Sequence, residues 1–182
     1  MPPVNRATKA ATGLLEAANV KRLPVKVREL ARKHAFVMRE SLPQDVSGML
    51  VPADPDSSKR WIIVLNRDHG RERQRFTIAH ELGHLLLHQY TSPHADRVQR
   101  VQFRDSTSAQ GTDREEIEAN QFAAELLMPV SLMVPRLKDA GLDSWDGEVT
   151  GGVAETLEEL ANECQVSQQA LVFRIANLLQ NE

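Results

Sequence analysis

The sequence predicts an α+β fold, in which a small antiparallel sheet packs on a mostly helical body. Three observations support this prediction. Short β-type runs are confined to the first third of the chain, helical periodicity dominates the rest, and the two do not alternate as in a doubly wound sheet. The 182 residues, 41% apolar and 26% charged, suffice for one domain with its own core, or for one domain with a small appendage.

The first third predicts two short helices and the sheet. Residues 10–19 are alanine-rich, and Pro24 stands where the first turn of a second helix tolerates proline. Residues 36–38 and 48–51 are typical of short strands, and residues 61–65 form a strong β-type run. This last strand could offer an edge with which an extended substrate pairs, although plain core packing explains the run equally well.

The remaining two thirds are predicted to be helical, apart from one long loop. The loop covers residues 91–111, which are polar and lack any period. The predicted helices cover residues 74–89, 113–128, 131–140, 155–164 and 167–180. We expect a main domain over residues 1–140 and a C-terminal helical element, over residues 141–182, packed on it.

Charge is divided unevenly along the chain. Residues 1–104 carry a net charge of +8 and residues 105–182 one of −11. The basic half could attract nucleic acid or an acidic partner, but two solvated faces of one domain explain the division as well. The single cysteine, Cys164, excludes an internal disulfide framework, and the apolar runs are too short to span a bilayer. We therefore expect a cytoplasmic protein with no membrane contact.

A His-Glu-Leu-Gly-His motif begins at His80. On a helix, His80 and His84 lie on one face and could hold a single Zn²⁺, while Glu81 could take a proton from water beside it. The polar sector of this helix contains only these three residues, Thr77 and His88, without the lysines and arginines of a surface helix. The helix is therefore predicted to be buried. His84 and His88 are also four apart, but that pair lacks a carboxylate at the corresponding offset.

A third metal ligand is expected from the helix predicted over residues 113–128. Its glutamates are Glu115, Glu116, Glu118 and Glu125. On a helical wheel Glu118 and Glu125 point away from the apolar stripe, toward solvent, and Glu115 completes a capping box with Thr112. Glu116 lies at the edge of the stripe, one turn before Asn120, whose amide could orient a ligand. Glu116 is therefore favoured, with Glu115 and Glu118 as alternatives.

Two blocks of sequence resemble the ImmA/IrrE metallopeptidases. The first is Arg-Phe-Thr-Ile-Ala-His-Glu-Leu-Gly-His, ending at His84 and followed by Leu-Leu-Leu-His88. The second runs from Glu116 to Pro129 as Glu-Ile-Glu-Ala-Asn-Gln-Phe-Ala-Ala-Glu-Leu-Leu-Met-Pro. The resemblance extends over roughly residues 12–178, and the two blocks together are highly specific.

This resemblance implies a compact zincin-like fold and a zinc-dependent endopeptidase. It implies that His80, His84 and Glu116 bind one zinc ion and that Glu81 is the general base. Members of the family are typically encoded beside a helix-turn-helix repressor and cleave it, which releases stress-response or mobile-element genes. The chain departs from the better-known pattern in its long loop between the two blocks and in lacking an obvious N-terminal DNA-binding domain. The second departure favours a separate partner protein.

The oxyanion stabiliser of such a reaction is not specified by the motif. Tyr90, His88 and His94 are candidates, because each lies at the end of the motif helix or in the loop after it.

Two alternatives to an enzyme remain. Residues 157–171 have the cadence of a DNA-binding helix-turn-helix, but residues 155–182 contain five Glu and one Arg, the wrong charge for a groove lined with phosphates. Direct DNA binding is therefore disfavoured. The second alternative is a non-hydrolytic, metal-stabilised sensor or interaction module, which substitution of Glu81 would distinguish from a peptidase.

Overall fold

The computed structural model describes residues 6–88, 94–97, 112–142 and 151–179. These residues form seven helices and four strands, which confirms the α+β class. In chain order they are α1 (Arg6–Ala17), α2 (Val27–Ala31), β1 (Phe36–Glu40), β2 (Val46–Pro52), β3 (Trp61–Asn66), α3 (Arg71–Leu87), β4 (His94–Arg97), α4 (Thr112–Leu127), α5 (Val130–Asp139), α6 (Gly151–Cys164) and α7 (Gln168–Leu179).

The four strands form one mixed sheet in the order β1-β3-β2-β4. β2 pairs antiparallel with β3 and β4, but β1 pairs parallel with β3, with Phe36 opposite Ile62. The prediction of an antiparallel sheet is therefore wrong for this pair. The chain reverses direction twice between β1 and β3, so β3 runs parallel to β1 once it lies between β1 and β2. Strand order depends on long-range pairing, which short local runs do not specify.

β3 lies inside the sheet, with a paired strand on each side. The prediction that it offers an edge to substrate is therefore wrong, and core packing accounts for its sequence: Ile63 and Leu65 are fully buried. At its end the Asn66 amide donates hydrogen bonds to the carbonyl oxygens of Val46 at 2.9 Å and Pro43 at 3.1 Å. These bonds hold the connection between β1 and β2 against the end of β3.

β4 lies within the segment that the sequence predicts to be a loop. Its backbone pairs antiparallel with β2, with His94 opposite Leu50 and Ala95 opposite Met49. The segment has no alternation of polar and apolar residues, so its strand character depends on the edge that β2 presents. The loop prediction is therefore wrong for these four residues, and its remaining residues lie outside the described ranges.

α3 packs between the sheet and α4, and α1 lies against α4 as well. Gly83 allows the close approach of α3 to α4, because a Cβ atom there would lie 3.1 Å from Cδ1 of Phe122 and 3.2 Å from Cα of Ala119. The middle of α3 is thus held in the interior of the fold.

No helix in the described ranges is both long enough and apolar enough to cross a bilayer.

The C-terminal helices α6 and α7 pack on the same core as the rest of the chain. Leu171 and Ile175 of α7 are fully buried within that core. The Arg75 guanidinium of α3 donates hydrogen bonds to the carbonyl oxygens of Gln165 at 3.1 Å and Cys164 at 3.2 Å, where α6 ends. The division of the chain at residue 140 stays a prediction.

Candidate metal centre

The motif lies in the buried middle of α3. Glu81 and His84 are fully buried, and Thr77 and His80 are each 2% exposed. β2 covers this face, since a Cβ atom at Gly48 would lie 2.4 Å from Cγ2 of Thr77 and 3.7 Å from Oε1 of Glu81. Only glycine permits this approach without displacing β2. The middle of α3 is thus buried, as its composition predicts.

Three side chains from two helices meet at this sector. Nε2 of His80 and Nε2 of His84 are 2.9 Å apart. The Glu116 carboxylate, from α4, lies 3.3 Å from Nε2 of His80 through Oε2 and 3.1 Å from Nε2 of His84 through Oε1. The structure therefore brings together the two histidines of the motif and the glutamate favoured from the helical wheel.

This set of atoms suits a divalent metal ion. Two imidazole nitrogens and a carboxylate oxygen are typical ligands of a catalytic zinc ion. Bonds of about 2.0–2.1 Å place the ligand atoms of a tetrahedral site about 3.3 Å apart. The three separations here are 2.9, 3.1 and 3.3 Å. His80, His84 and Glu116 could therefore hold one metal ion.

Asn120 orients the imidazole of His80. Nδ1 of His80 lies 3.1 Å from Oδ1 of Asn120, one turn after Glu116 on α4. An amide oxygen only accepts hydrogen bonds, so the neutral ring carries its hydrogen on Nδ1 and its lone pair on Nε2. That lone pair faces the Glu116 carboxylate. Electron-rich atoms facing one another are stabilised by a shared cation, so the chemistry of the site fits a metal.

His88 and Glu118 lie behind His84. Nδ1 of His88 is 3.1 Å from Nδ1 of His84, and Nε2 of His88 is 3.3 Å from Oε2 of Glu118. This placement does not favour an oxyanion role for His88, because both its ring nitrogens are engaged on the side of His84 remote from Nε2. The expectation that Glu118 points to solvent is wrong, since its side chain is only 14% exposed.

The environment of Glu118 favours its ionised form. Desolvation by burial acts to raise the pKa of Glu118, but hydrogen bonds from Arg114 and His88 hold that pKa below its ordinary value. The Arg114 bond, from Nε to Oε1, is 3.1 Å long. The helical wheel missed this role because a wheel takes no account of neighbouring helices. The only feature of the sequence that indicates a contact near His84 is the position of His88, four residues later on the same face of the helix.

Glu125 is the second glutamate that the wheel misplaces. Its side chain is 3% exposed and forms an ion pair with Arg174 of α7. Its Oε1 accepts hydrogen bonds from Oγ1 of Thr12 and from the backbone N–H of Val130, each at 3.3 Å. The prediction that Glu125 faces solvent is therefore wrong. α1 and α7 cover the side of α4 that appears polar in sequence.

The remaining candidates are the oxyanion stabilisers Tyr90 and His94, and Glu115. Tyr90 and the side chain of His94 lie outside the described residues, as does the side chain of Thr112 in the predicted capping box. Glu115 is half-buried on α4 and is not one of the three residues that could hold the metal. Among the alternatives for the third ligand, the structure therefore favours Glu116.

Comparison with known proteins identifies a family and a relative. Residues 30–176 match the model of the family Peptidase_M78, described as the IrrE N-terminal-like domain. The chain is 34% identical over 98 residues to "Uncharacterized immunity region protein 2" of Bacillus phage phi105. That match spans 54% of this chain and 56% of the relative, so the chain covers little more than half of the relative's length.

A solved structure shares the fold. A "Mycobacterium tuberculosis transcriptional regulator" superposes with a TM-score of 0.57 at 16% sequence identity, over 91% of this chain and 45% of that one. At this identity the similarity shows the fold alone. The family match extends over most of the chain and includes both α3 and α4. The chain therefore belongs to the peptidase family described as the IrrE N-terminal-like domain.

Proposed function

We propose that this protein is a zinc-dependent endopeptidase that cleaves a co-encoded helix-turn-helix repressor. The observation that carries the proposal is the convergence of His80 Nε2, His84 Nε2 and the Glu116 carboxylate within 3.3 Å of one another. Glu81 directly follows His80 in α3, and its buried carboxylate supplies the base that a hydrolase needs. Membership in a peptidase family supports the same reaction class.

Each residue of the site has a part in this mechanism. A bound zinc ion would lower the pKa of a water molecule toward neutrality and polarise the scissile carbonyl group. Glu81 accepts a proton from the attacking water and returns it to the leaving amine nitrogen. Asn120 holds the His80 ring so that its Nε2 lone pair faces the site. The burial of His80, Glu81 and His84 lowers the local dielectric constant, which strengthens these electrostatic interactions.

A repressor is the substrate that the comparisons favour. The similarity to a phage immunity region protein supports a role beside regulators of mobile-element or stress-response genes. Such regulators act on DNA in the cytoplasm, so we propose that cleavage occurs there. α7 carries a single basic residue, Arg174, which is engaged by Glu125. Direct binding of DNA through α7 is accordingly not part of the proposal.

The test is cleavage of the helix-turn-helix protein encoded beside this chain. Wild-type protein loaded with zinc should cleave it, and a chelator should stop the reaction. Glu81→Gln should abolish cleavage while the zinc content, measured by mass spectrometry, stays near one per chain. Glu72→Gln is the matched control, because Glu72 lies on the same helix but is exposed. Equal activity of Glu81→Gln and wild type would refute the peptidase and favour a non-hydrolytic sensor.

The identity of the metal requires a separate measurement. Apoprotein reconstituted with zinc or with manganese should be assayed at matched occupancy. An imidazole-rich site is expected to bind zinc more tightly than manganese. Activity with manganese and none with zinc would overturn the zinc assignment and leave the peptidase assignment in place.

A further inference from the structure

We propose that Glu118 and His88 form a hydrogen-bonded relay that sets the tautomer of His84 and so directs the Nε2 lone pair of His84 at the metal. This inference rests on the proposed metal site, and it assigns a positioning role to two residues that contact no reacting atom. It is carried by two distances, 3.3 Å between Glu118 Oε2 and His88 Nε2 and 3.1 Å between the Nδ1 atoms of His88 and His84.

The relay follows from which atoms can donate. A carboxylate oxygen only accepts, so Nε2 of His88 carries a hydrogen and donates it to Glu118. In a neutral ring Nδ1 of His88 is then an acceptor, and its hydrogen-bond partner at 3.1 Å, Nδ1 of His84, must donate. His84 therefore carries its hydrogen on Nδ1, and its Nε2 bears the lone pair. One carboxylate thus determines the tautomers of two rings in sequence.

The site is asymmetric in this respect. His80 reaches the same tautomer through one direct bond to Asn120. His84 reaches it through a second histidine, with the carboxylate one residue further away. Both His88 and Glu118 are well enclosed, with side chains 5% and 14% exposed, so solvent competes little for these bonds.

Two arginines hold the far end of the relay in place. Nη1 of Arg6 on α1 lies 3.9 Å from Oε2 of Glu118, and Nε of Arg114 lies 3.1 Å from Oε1. Arg6 also donates a hydrogen bond to the carbonyl oxygen of Leu87, at the end of α3. Because α1, α3 and α4 all contribute, the relay depends on how these three helices are assembled.

Zinc affinity and ring tautomers test the relay. Glu118→Leu and His88→Phe should each weaken zinc binding about 10–100-fold, measured by competition with a chelating dye. Glu118→Gln should lose less than Glu118→Leu, since its amide oxygen still accepts from His88. Glu158→Leu is the matched control and should bind zinc like wild type, because it makes the same substitution at an exposed glutamate of α6 that takes no part in the relay.

Nuclear magnetic resonance of wild-type protein gives an independent readout that needs no variant to fold. The ¹⁵N shifts of the rings should show hydrogen on Nδ1 of His84 and on Nε2 of His88. The opposite tautomer of either ring would overturn the relay, as would a loss of zinc affinity below about threefold in a folded Glu118→Leu. Failure of the wild-type protein to bind zinc would instead overturn the proposed function itself.

Discussion

The buried ion pair between Glu125 and Arg174 offers the sharpest test of the fold. Arg174 is 11% exposed, and its Nε also donates to the carbonyl oxygen of Met128 at 3.1 Å. Replacing Glu125 with alanine would leave this guanidinium charged, enclosed and without its carboxylate. Loss of one partner of a buried pair costs about 3–5 kcal/mol. For a chain of this length, that loss lowers Tm by about 6–20 °C.

Urea unfolding of the metal-free protein, followed by circular dichroism, measures this loss without a contribution from metal binding. Glu158→Ala is the control, since Glu158 is exposed on α6 and its loss should change the free energy of unfolding by less than about 0.5 kcal/mol. Removing both charges, as Glu125→Leu with Arg174→Met, should be at least about 2 kcal/mol more stable than Glu125→Leu alone. If Glu125→Ala costs less than about 1 kcal/mol, the carboxylate is solvated and the reasoning is wrong.

Three further predictions concern single positions. Gly48→Ala should reduce the free energy of unfolding, measured in urea, by about 1–3 kcal/mol, because its Cβ would lie 2.4 Å from Cγ2 of Thr77. Thr77→Ser in the same protein removes that methyl group and should restore part of the loss. If Gly48→Ala does not change the free energy of unfolding, β2 does not cover α3. Burial raises the pKa of the Cys164 thiol from 9.0 to about 11, so at pH 8 its thiolate fraction is about 100-fold lower in the folded protein than in the unfolded protein. Iodoacetamide should therefore label Cys164 at least about 100-fold more slowly in the folded protein than in protein unfolded by urea. Equal labelling rates in the two states would contradict its burial. Asn120→Leu should weaken zinc binding about 10–100-fold, whereas Gln121→Leu, at the next position, should not; equal affinities of the two variants would contradict the role of the amide.

Much of the candidate metal centre follows from local sequence. A helix turns about 100° per residue, so His80 and His84 must share a face wherever that helix lies. The absence of Lys and Arg from the polar sector of residues 76–88 correctly predicts that this part of the helix is largely buried. These inferences depend on the geometry of one helix alone, which is set by backbone hydrogen bonds between residues four apart in sequence.

The tertiary structure decided which surfaces meet. Glu118 and Glu125 occupy polar positions on the helical wheel of α4, yet the first contacts His88, directly after α3, and the second contacts Arg174 of α7. The parallel pairing of β1 with β3 and the recruitment of residues 94–97 as a strand likewise depend on partners distant in the chain. Long-range contacts arise from the joint packing of several elements. The periodicity of a single element therefore indicates which of its faces is apolar, but not which polar residue will find a buried partner.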